Sequence, residues 1–314
     1  MSRDDSDLEM IRRMNRVPTG TTETPHVELT ALDELWFQVA GTLCNLECSH
    51  CFISCSPRND AFGFLSLARV REALAESVSW GSKEYYFTGG EPFLNREMVP
   101  ILEATLEYGP ATVLTNGTVL KPDWLTRLRA AEERSGYSIE FRVSIDGPTP
   151  EINDPIRGTG TFVRAMRGVE LLVAHDFLPI ITMTRTWSDS EDHKILETFR
   201  GILNAYGYSR PRLKILPRLQ IGAEAGRTCG YSATERVTRE MMADFDQSQL
   251  VCNHSRIISD KGVHVCPILL ESADSLLGQT LEDSIVPFAM THGACLTCYQ
   301  YGAICTNPSS SRRE

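Results

Sequence analysis

SIEFRVSIDG, residues 138–147, alternates so strictly that it fixes one element and frames the rest. Side chains of a strand point to opposite faces with a period of two. Ile139, Phe141, Val143 and Ile145 therefore share one face, and Glu140, Arg142, Ser144 and Asp146 the other. A closed barrel fills its interior with branched apolar side chains. A polar inner face predicts instead an open barrel that holds a polar ligand, or a strand at a sheet edge with that face in water. Outward from this stretch, β-rich runs recur at LWFQVAG (35–41), EYYFTGG (84–90), ATVLTNG (111–117), PIITMTRT (179–186) and RLKILP (212–217). Amphipathic stretches separate them. In SLARVREALAESVSW (66–80), Ser66 is placed to cap a helix, Val70, Ala73, Leu74 and Val78 form its apolar stripe, and Gly81 is placed to end it. Strands alternating with helices imply a parallel sheet with crossover helices. The expected fold is α/β, a partial (β/α)6 TIM-like barrel over residues 31–219, with chemistry at the C-terminal ends of the strands.

Residues 1–30 read as a flexible polar lead-in and 308–314 as a frayed tail. Residues 220–307 break the alternation and hold six of the ten cysteines, so a small C-terminal cysteine-rich module is expected there. With 42% hydrophobic and 23% charged residues the chain is in the globular range. A net charge of −10 argues against nucleic acid as the partner, because affinity for phosphates comes from clustered Lys and Arg. The N-terminal stretch lacks the apolar core of a secretory signal, and no apolar run approaches the ~20 residues that span a bilayer. A cytoplasmic protein without a membrane partner is expected. Ten cysteines in a reducing compartment point to metal ligation where their spacing is tight.

The spacing is tight in GTLCNLECSHCFISCSP (41–57), immediately after the first strand. Cys44, Cys48 and Cys51 form a C-x3-C-x2-C run whose short loop can wrap thiolates around one face of a cubane. A cubane normally takes four cysteines, so three leave one iron open for a bidentate amino acid. The alternative is tetrahedral zinc, with Cys55 or His50 as fourth ligand. The next strand runs into Thr88-Gly89-Gly90-Glu91-Pro92, whose glycines let backbone approach a ligand closely and whose carbonyls and carboxylate suit an ammonium.

These two motifs, in this order on successive strands, resemble the radical S-adenosylmethionine (SAM) superfamily over about residues 34–217. The resemblance implies that Cys44, Cys48 and Cys51 bind a [4Fe–4S] cluster, that Phe52 is the aromatic following the third cysteine, and that Gly89, Gly90 and Glu91 bind the methionine amino group of SAM. It further implies that the run Ser144 to Gly147, with Ser144 and Asp146, contacts the cofactor's ribose and methionine. Arg157 would reach its carboxylate, and Asn116 sits at the matching end of the third strand. Asn116-Gly117 and Asp146-Gly147 are also good turn formers. The implied reaction is reductive cleavage of SAM to methionine and a 5′-deoxyadenosyl radical, with an electron from reduced flavodoxin or a ferredoxin-type donor.

Downstream, Cys252, Cys266, Cys295, Cys298 and Cys305, with the LGQTLEDS stretch (277–284), resemble the twitch and SPASM modules of such enzymes. A full SPASM pattern needs about seven cysteines for two clusters. One auxiliary [4Fe–4S] cluster on Cys252, Cys266, Cys295 and Cys298 is the better fit, with structural zinc the alternative. Cys305 is a further ligand or a free thiol near the active site. His254, His264 and His292 are expected to be packing or surface residues, and Cys55 and Cys229 small buried hydrophobes. If Cys305 or Cys229 donates hydrogen, epimerisation gains; if the auxiliary cluster accepts an electron, two-electron oxidation gains. The leading expectation is dehydrogenation or epimerisation of a small molecule, a sugar, aminocyclitol or related metabolite, since no N-terminal domain is seen to hold a leader peptide. Maturation of a ribosomal peptide or sulfatase, and a non-catalytic zinc scaffold, are the alternatives. Glu140, Arg142, Thr182, Thr184, Arg185 and Lys214 are the candidates to line the substrate cavity.

Overall fold

The computed structural model describes residues 24–302 and 304. A short β1 (His26–Val27) precedes six strands that coincide with the β-rich runs: β2 (Glu34–Gln38), β3 (Glu84–Thr88), β4 (Ala111–Thr115), β5 (Ile139–Ser144), β6 (Ile180–Thr184) and β7 (Arg212–Leu216). The intervening helices are α1 (Leu67–Ser79), α2 (Met98–Thr105), α3 (Pro122–Glu133), the paired α4 (Pro150–Arg157) and α5 (Thr161–Ala174), and α6 (Asp192–Ala205). Then come β8 (Ser255–Ser259), β9 (Gly262–His264), β10 (Leu276–Gly278) and β11 (Phe288–Ala289), which pairs back on β1.

The main sheet runs β10-β9-β8-β2-β3-β4-β5-β6-β7, parallel from β8 to β7. It has two ends, so the barrel is open. β5 lies between β4 and β6, which places Glu140, Arg142 and Ser144 in the barrel interior and removes the edge-strand alternative. The opposite faces carry Phe37, Phe87, Val113, Phe141 and Ile181, all buried under the helices.

α1 shows how the sequence makes its helices and where periodicity misleads. The Ser66 side chain accepts from the Arg69 N–H, and the Gly81 N–H bonds the Val78 carbonyl one turn past the end, as expected. The buried stripe, however, is Val70, Ala73, Leu74 and Ser77, while Val78 is 61% exposed. Ser77 is tolerated inside because its hydroxyl donates to the Leu74 carbonyl at 2.8 Å and meets the Tyr85 hydroxyl at 2.9 Å. A buried hydroxyl with both needs met costs little.

α5 crosses the end of β4 so closely that a Cβ on Gly168 would lie 2.1 Å from the Gly117 carbonyl oxygen. Gly168→Ala is expected to destabilise by more than about 1 kcal/mol, because backbone blocks the new methyl. Gly201 in α6 meets nothing within 4 Å. Gly201→Ala should therefore stabilise by about 0.5–1 kcal/mol through helix propensity. Urea midpoints of the two variants, moving in opposite directions, check the packing.

The 220–307 segment continues the barrel's sheet through β8, which pairs with β2, yet it has an apolar cluster of its own around Leu250, Val251, Ile268, Phe288 and Tyr299. Of the lead-in expected to be flexible over 1–30, residues 24–30 are held in place. Val27 is buried under this second cluster, and the Thr30 N–H donates to the Asn253 carbonyl at 2.9 Å. The expected tail and Cys305 lie outside the described residues.

Candidate active site

The cysteine loop leaves β2 at the carboxyl mouth of the barrel and is tied down along its length. Gln38 Nε2 donates to the Gly41 carbonyl at 2.7 Å, the Cys44 N–H to the Ser56 carbonyl at 3.1 Å, and Asn95 Nδ2 to the carbonyls of Val39 and Leu65 at 2.8 Å each. Cys44 is buried, with Cys48 and Cys51 half-buried. Burial pushes the Cys44 thiol up to about 12 and the Cys48 thiol to about 11. Metal binding must displace those protons, so the ligands cost free energy that the metal–sulfur bonds must exceed. Cys51 goes the other way: the Cys55 thiol and N–H bond its sulfur, the latter at 3.3 Å, and hold its thiol below the ordinary range.

The strand end at Gly89-Gly90 packs directly on this loop. The Gly90 N–H donates to Gly41 O at 2.9 Å and the Glu91 N–H to Leu43 O at 3.1 Å. A Cβ on Gly90 would sit 2.1 Å from Leu43 O and 2.7 Å from the Cys44 nitrogen, so only glycine lets strand end and cysteine loop touch. Glu91 is fully buried, and its carboxylate accepts from Phe93 N at 3.1 Å, Thr115 Oγ1 at 2.8 Å and Asn116 N at 2.8 Å. Burial pushes this acid up to about 7 against the pull of those three donors. The side chain expected to meet the cofactor's amino group is thus spent on joining the ends of β3 and β4. Asn116 extends that joint to the cysteine loop, donating to Asn45 Oδ1 at 2.9 Å and lying 3.8 Å from Cys44 Sγ.

A third group converges on the same loop. Asp146 is fully buried at the end of β5; its Oδ2 lies 2.5 Å from Arg157 Nε and 2.7 Å from His50 Nε2, and its Oδ1 accepts from Thr184 N at 2.7 Å. Burial alone would raise this carboxyl, but Arg157 and then His50 more than offset it and hold it well below the usual carboxylate range. Asp146, in the run expected at the cofactor's ribose and methionine, is thus paired with Arg157 and His50. The Ser49 N–H donates to the Ile156 carbonyl at 2.9 Å, fixing the loop to the end of α4, where Arg157 sits. Sequence reading had His50 only as a zinc ligand; its place inside the C-x2-C interval was the one signal that it belongs to the site.

Behind the mouth, Arg142, Thr182, Thr184 and Lys214 line a barrel cavity of about 90 Å³ together with Trp36, His50 and Phe52. Glu140 lies deeper, 2.6 Å from Arg212. Arg185 faces a different space, a polar groove of about 1020 Å³ beside the mouth, and is paired with Asp192 at 2.6 Å. Pro217 borders both.

In the C-terminal segment, Cys252, Cys266, Cys295 and Cys298 line one small apolar pocket with Leu250, Ile268 and Met290. Burial pushes the Cys252 thiol up to about 12 and raises Cys266 and Cys295 as well. Arg256, which the sequence did not single out, is fully buried beside two of these cysteines and donates to the carbonyls of Ser284, Cys252 and Ser255. Cys55 is buried. Cys229, expected to be buried or a hydrogen donor, is exposed and lines neither the cavity nor the groove. His254 and His264 are buried and His292 partly exposed on Asp274.

An open parallel barrel that presents a three-cysteine loop and a glycine strand end at its carboxyl mouth defines a class of α/β enzyme with its chemistry at the strand ends. Residues 39–199 match the radical SAM superfamily, and the chain belongs to it. Its cofactors are accordingly a [4Fe–4S] cluster and SAM. The chain is similar to the mycofactocin maturase MftC of Mycobacterium ulcerans, 27% identical over 242 residues, covering 75% of this chain and 59% of that protein. It is also similar to the AdoMet-dependent heme synthase of Methanosarcina barkeri, 35% identical over 144 residues, covering 45% and 39%. It thus spans little more than half of the first relative's length and less of the second's. Among solved structures, native anSMEcpe with bound AdoMet and Cp18Cys peptide shares the fold, with TM-score 0.57, 17% identity, and coverage of 80% of this chain and 79% of that one.

Proposed function

We propose that the chain is a maturase-type radical SAM enzyme that takes a hydrogen atom from a peptide substrate. The contact that carries the radical chemistry in this reading is Gly90 against Leu43 and Cys44, which joins the glycine strand end to the three-thiol loop. Cys44, Cys48 and Cys51 would hold the cluster, and the open backbone at Gly89 and Gly90 would receive the methionine amino group. Arg157, fixed by Asp146, would stand at the cofactor's carboxylate, with Ser144 on the ribose side. When loaded, the cluster supplies one electron that breaks the C5′–S bond of SAM, giving methionine and a radical that becomes 5′-deoxyadenosine on taking hydrogen. Cys252, Cys266, Cys295 and Cys298 would hold one auxiliary [4Fe–4S] cluster.

The large open groove beside the mouth and the resemblance to a maturase favour a peptide over the small metabolite expected from sequence. A small anionic metabolite is the second reading, favoured by the narrow cavity lined by Arg142 and Lys214. Anaerobically loaded protein, given dithionite and SAM, is expected to form 5′-deoxyadenosine. A short peptide encoded beside the gene should accelerate that formation and change mass by loss of hydrogen. Absence of 5′-deoxyadenosine sinks the radical reading; its formation with no response to any such peptide sinks the maturase reading.

A further inference from the structure

The barrel interior holds a row of polar groups, of which the proposed function gives Ser144 to SAM and leaves Arg142, Thr182 and Lys214 without a role. Ser144, Thr182 and Lys214 stand opposite one another on β5, β6 and β7, so their side chains leave the sheet on the same face. Arg142 faces the same way one step deeper, its guanidinium 5.2 Å from the centre of the Tyr86 ring. The charged side chains that line the cavity among the described residues are Arg142 and Lys214, with His50 at the mouth, and no carboxylate lines it. The acids on this face sit deeper and are engaged: Glu34 with Trp36 Nε1, Glu84 with the Tyr86 hydroxyl, and Glu140 with Arg142 and Arg212. Thr182 Oγ1 is buried with no hydrogen-bond partner among the described residues. A buried hydroxyl without a partner is costly unless a ligand completes it.

At about 90 Å³ the cavity is narrow beside the groove of about 1020 Å³ and suits an end group of a substrate. We propose that this shelf receives a carboxylate of the substrate, with Arg142 and Lys214 supplying charge and Thr182 a hydroxyl donor. Arg and a carboxylate make matched, charge-assisted hydrogen bonds. The proposal rests on the peptide reading for the source of the carboxylate, an acidic side chain or a free chain end. The carbon offered to the radical would then lie within a few bonds of that group, because the shelf lies directly below the mouth.

The test uses anaerobically loaded protein at constant ionic strength, titrated calorimetrically with succinate, inorganic phosphate, N-acetylglycine and N-acetylaspartic acid α-amide, whose side-chain acid is free and whose chain end is amidated. Succinate is expected to bind saturably. Lys214→Met should weaken it at least tenfold and Lys214→Arg by much less, with SAM affinity changed less than twofold in both. The preferred acetyl compound identifies the carboxylate's source. Failure of succinate to bind, stronger binding of phosphate, or a parallel loss of SAM affinity in Lys214→Met overturns the shelf, the last by assigning it to the cofactor's own carboxylate. Should Lys214→Met not fold, an equal loss in Thr182→Val supports the shelf, and unchanged binding there overturns it. Succinate binding needs no peptide, so its failure is separable from failure of the maturase reading.

Discussion

Replacing Cys44, Cys48 and Cys51 together by alanine is expected to remove about four irons and leave about four, while 5′-deoxyadenosine formation falls to background. The first half follows from the loop. Its three thiols sit on one segment tied to the ends of β2 and β3 by backbone contacts and to the end of β4 through Asn116 and Asn45, and no cysteine from the C-terminal segment lines the barrel cavity among the described residues. The second half follows from the separate apolar cluster around Cys252, Cys266 and Cys298, to which the loop contributes Phe52 but none of its three cysteines. Iron and acid-labile sulfide counts on anaerobic protein, wild type against the triple variant, measure both. A Cys252/Cys266→Ala variant should lose the complementary set. Retention of zinc in place of iron in that second pocket would return it to a structural tetrahedral site.

How much of this was legible depended on the range of the interaction. The six barrel strands, the Ser66 cap and the open, polar interior could be read because strand alternation and capping are local. Ser77 could not, since a serine inside an apolar stripe is stable only through Tyr85, on another element. The same limit hid β8 beside β2: the pairing of Glu34 with Ser255 is a long-range choice that no local pattern encodes. In the site, the motifs singled out Cys44, Cys48, Cys51, Gly89 and Gly90, and the structure sets the Gly90 backbone against Leu43 and Cys44. They gave the segment Gly89 to Glu91 as the place of the cofactor's amino group without showing that the Glu91 carboxylate bonds Thr115, Asn116 and Phe93. His50 and Arg256 were missed because each matters through a partner on a distant segment.

Asp146 is where that long-range chemistry should have its largest effect on stability. Its carboxylate serves Arg157, His50 and the Thr184 N–H at once, in a position with no access to water. Asp146→Ala leaves Arg157 almost entirely buried without its counter-charge, and removing one partner of a buried pair costs about 3–5 kcal/mol. A fall of that size in urea-unfolding free energy is expected. Because the folded carboxyl is held below the ordinary range, its contribution is complete at neutral pH and is lost only as pH falls below about 4, the unfolded value. The double variant Asp146→Ala with Arg157→Met should recover part of the loss, since it removes the stranded charge as well as its partner. Recovery without return of SAM binding would separate the two roles of Arg157: folding requires only that its charge be matched, whereas holding a carboxylate requires the guanidinium itself. A double variant no more stable than Asp146→Ala would show that the stranded Arg157 charge is not the source of the loss.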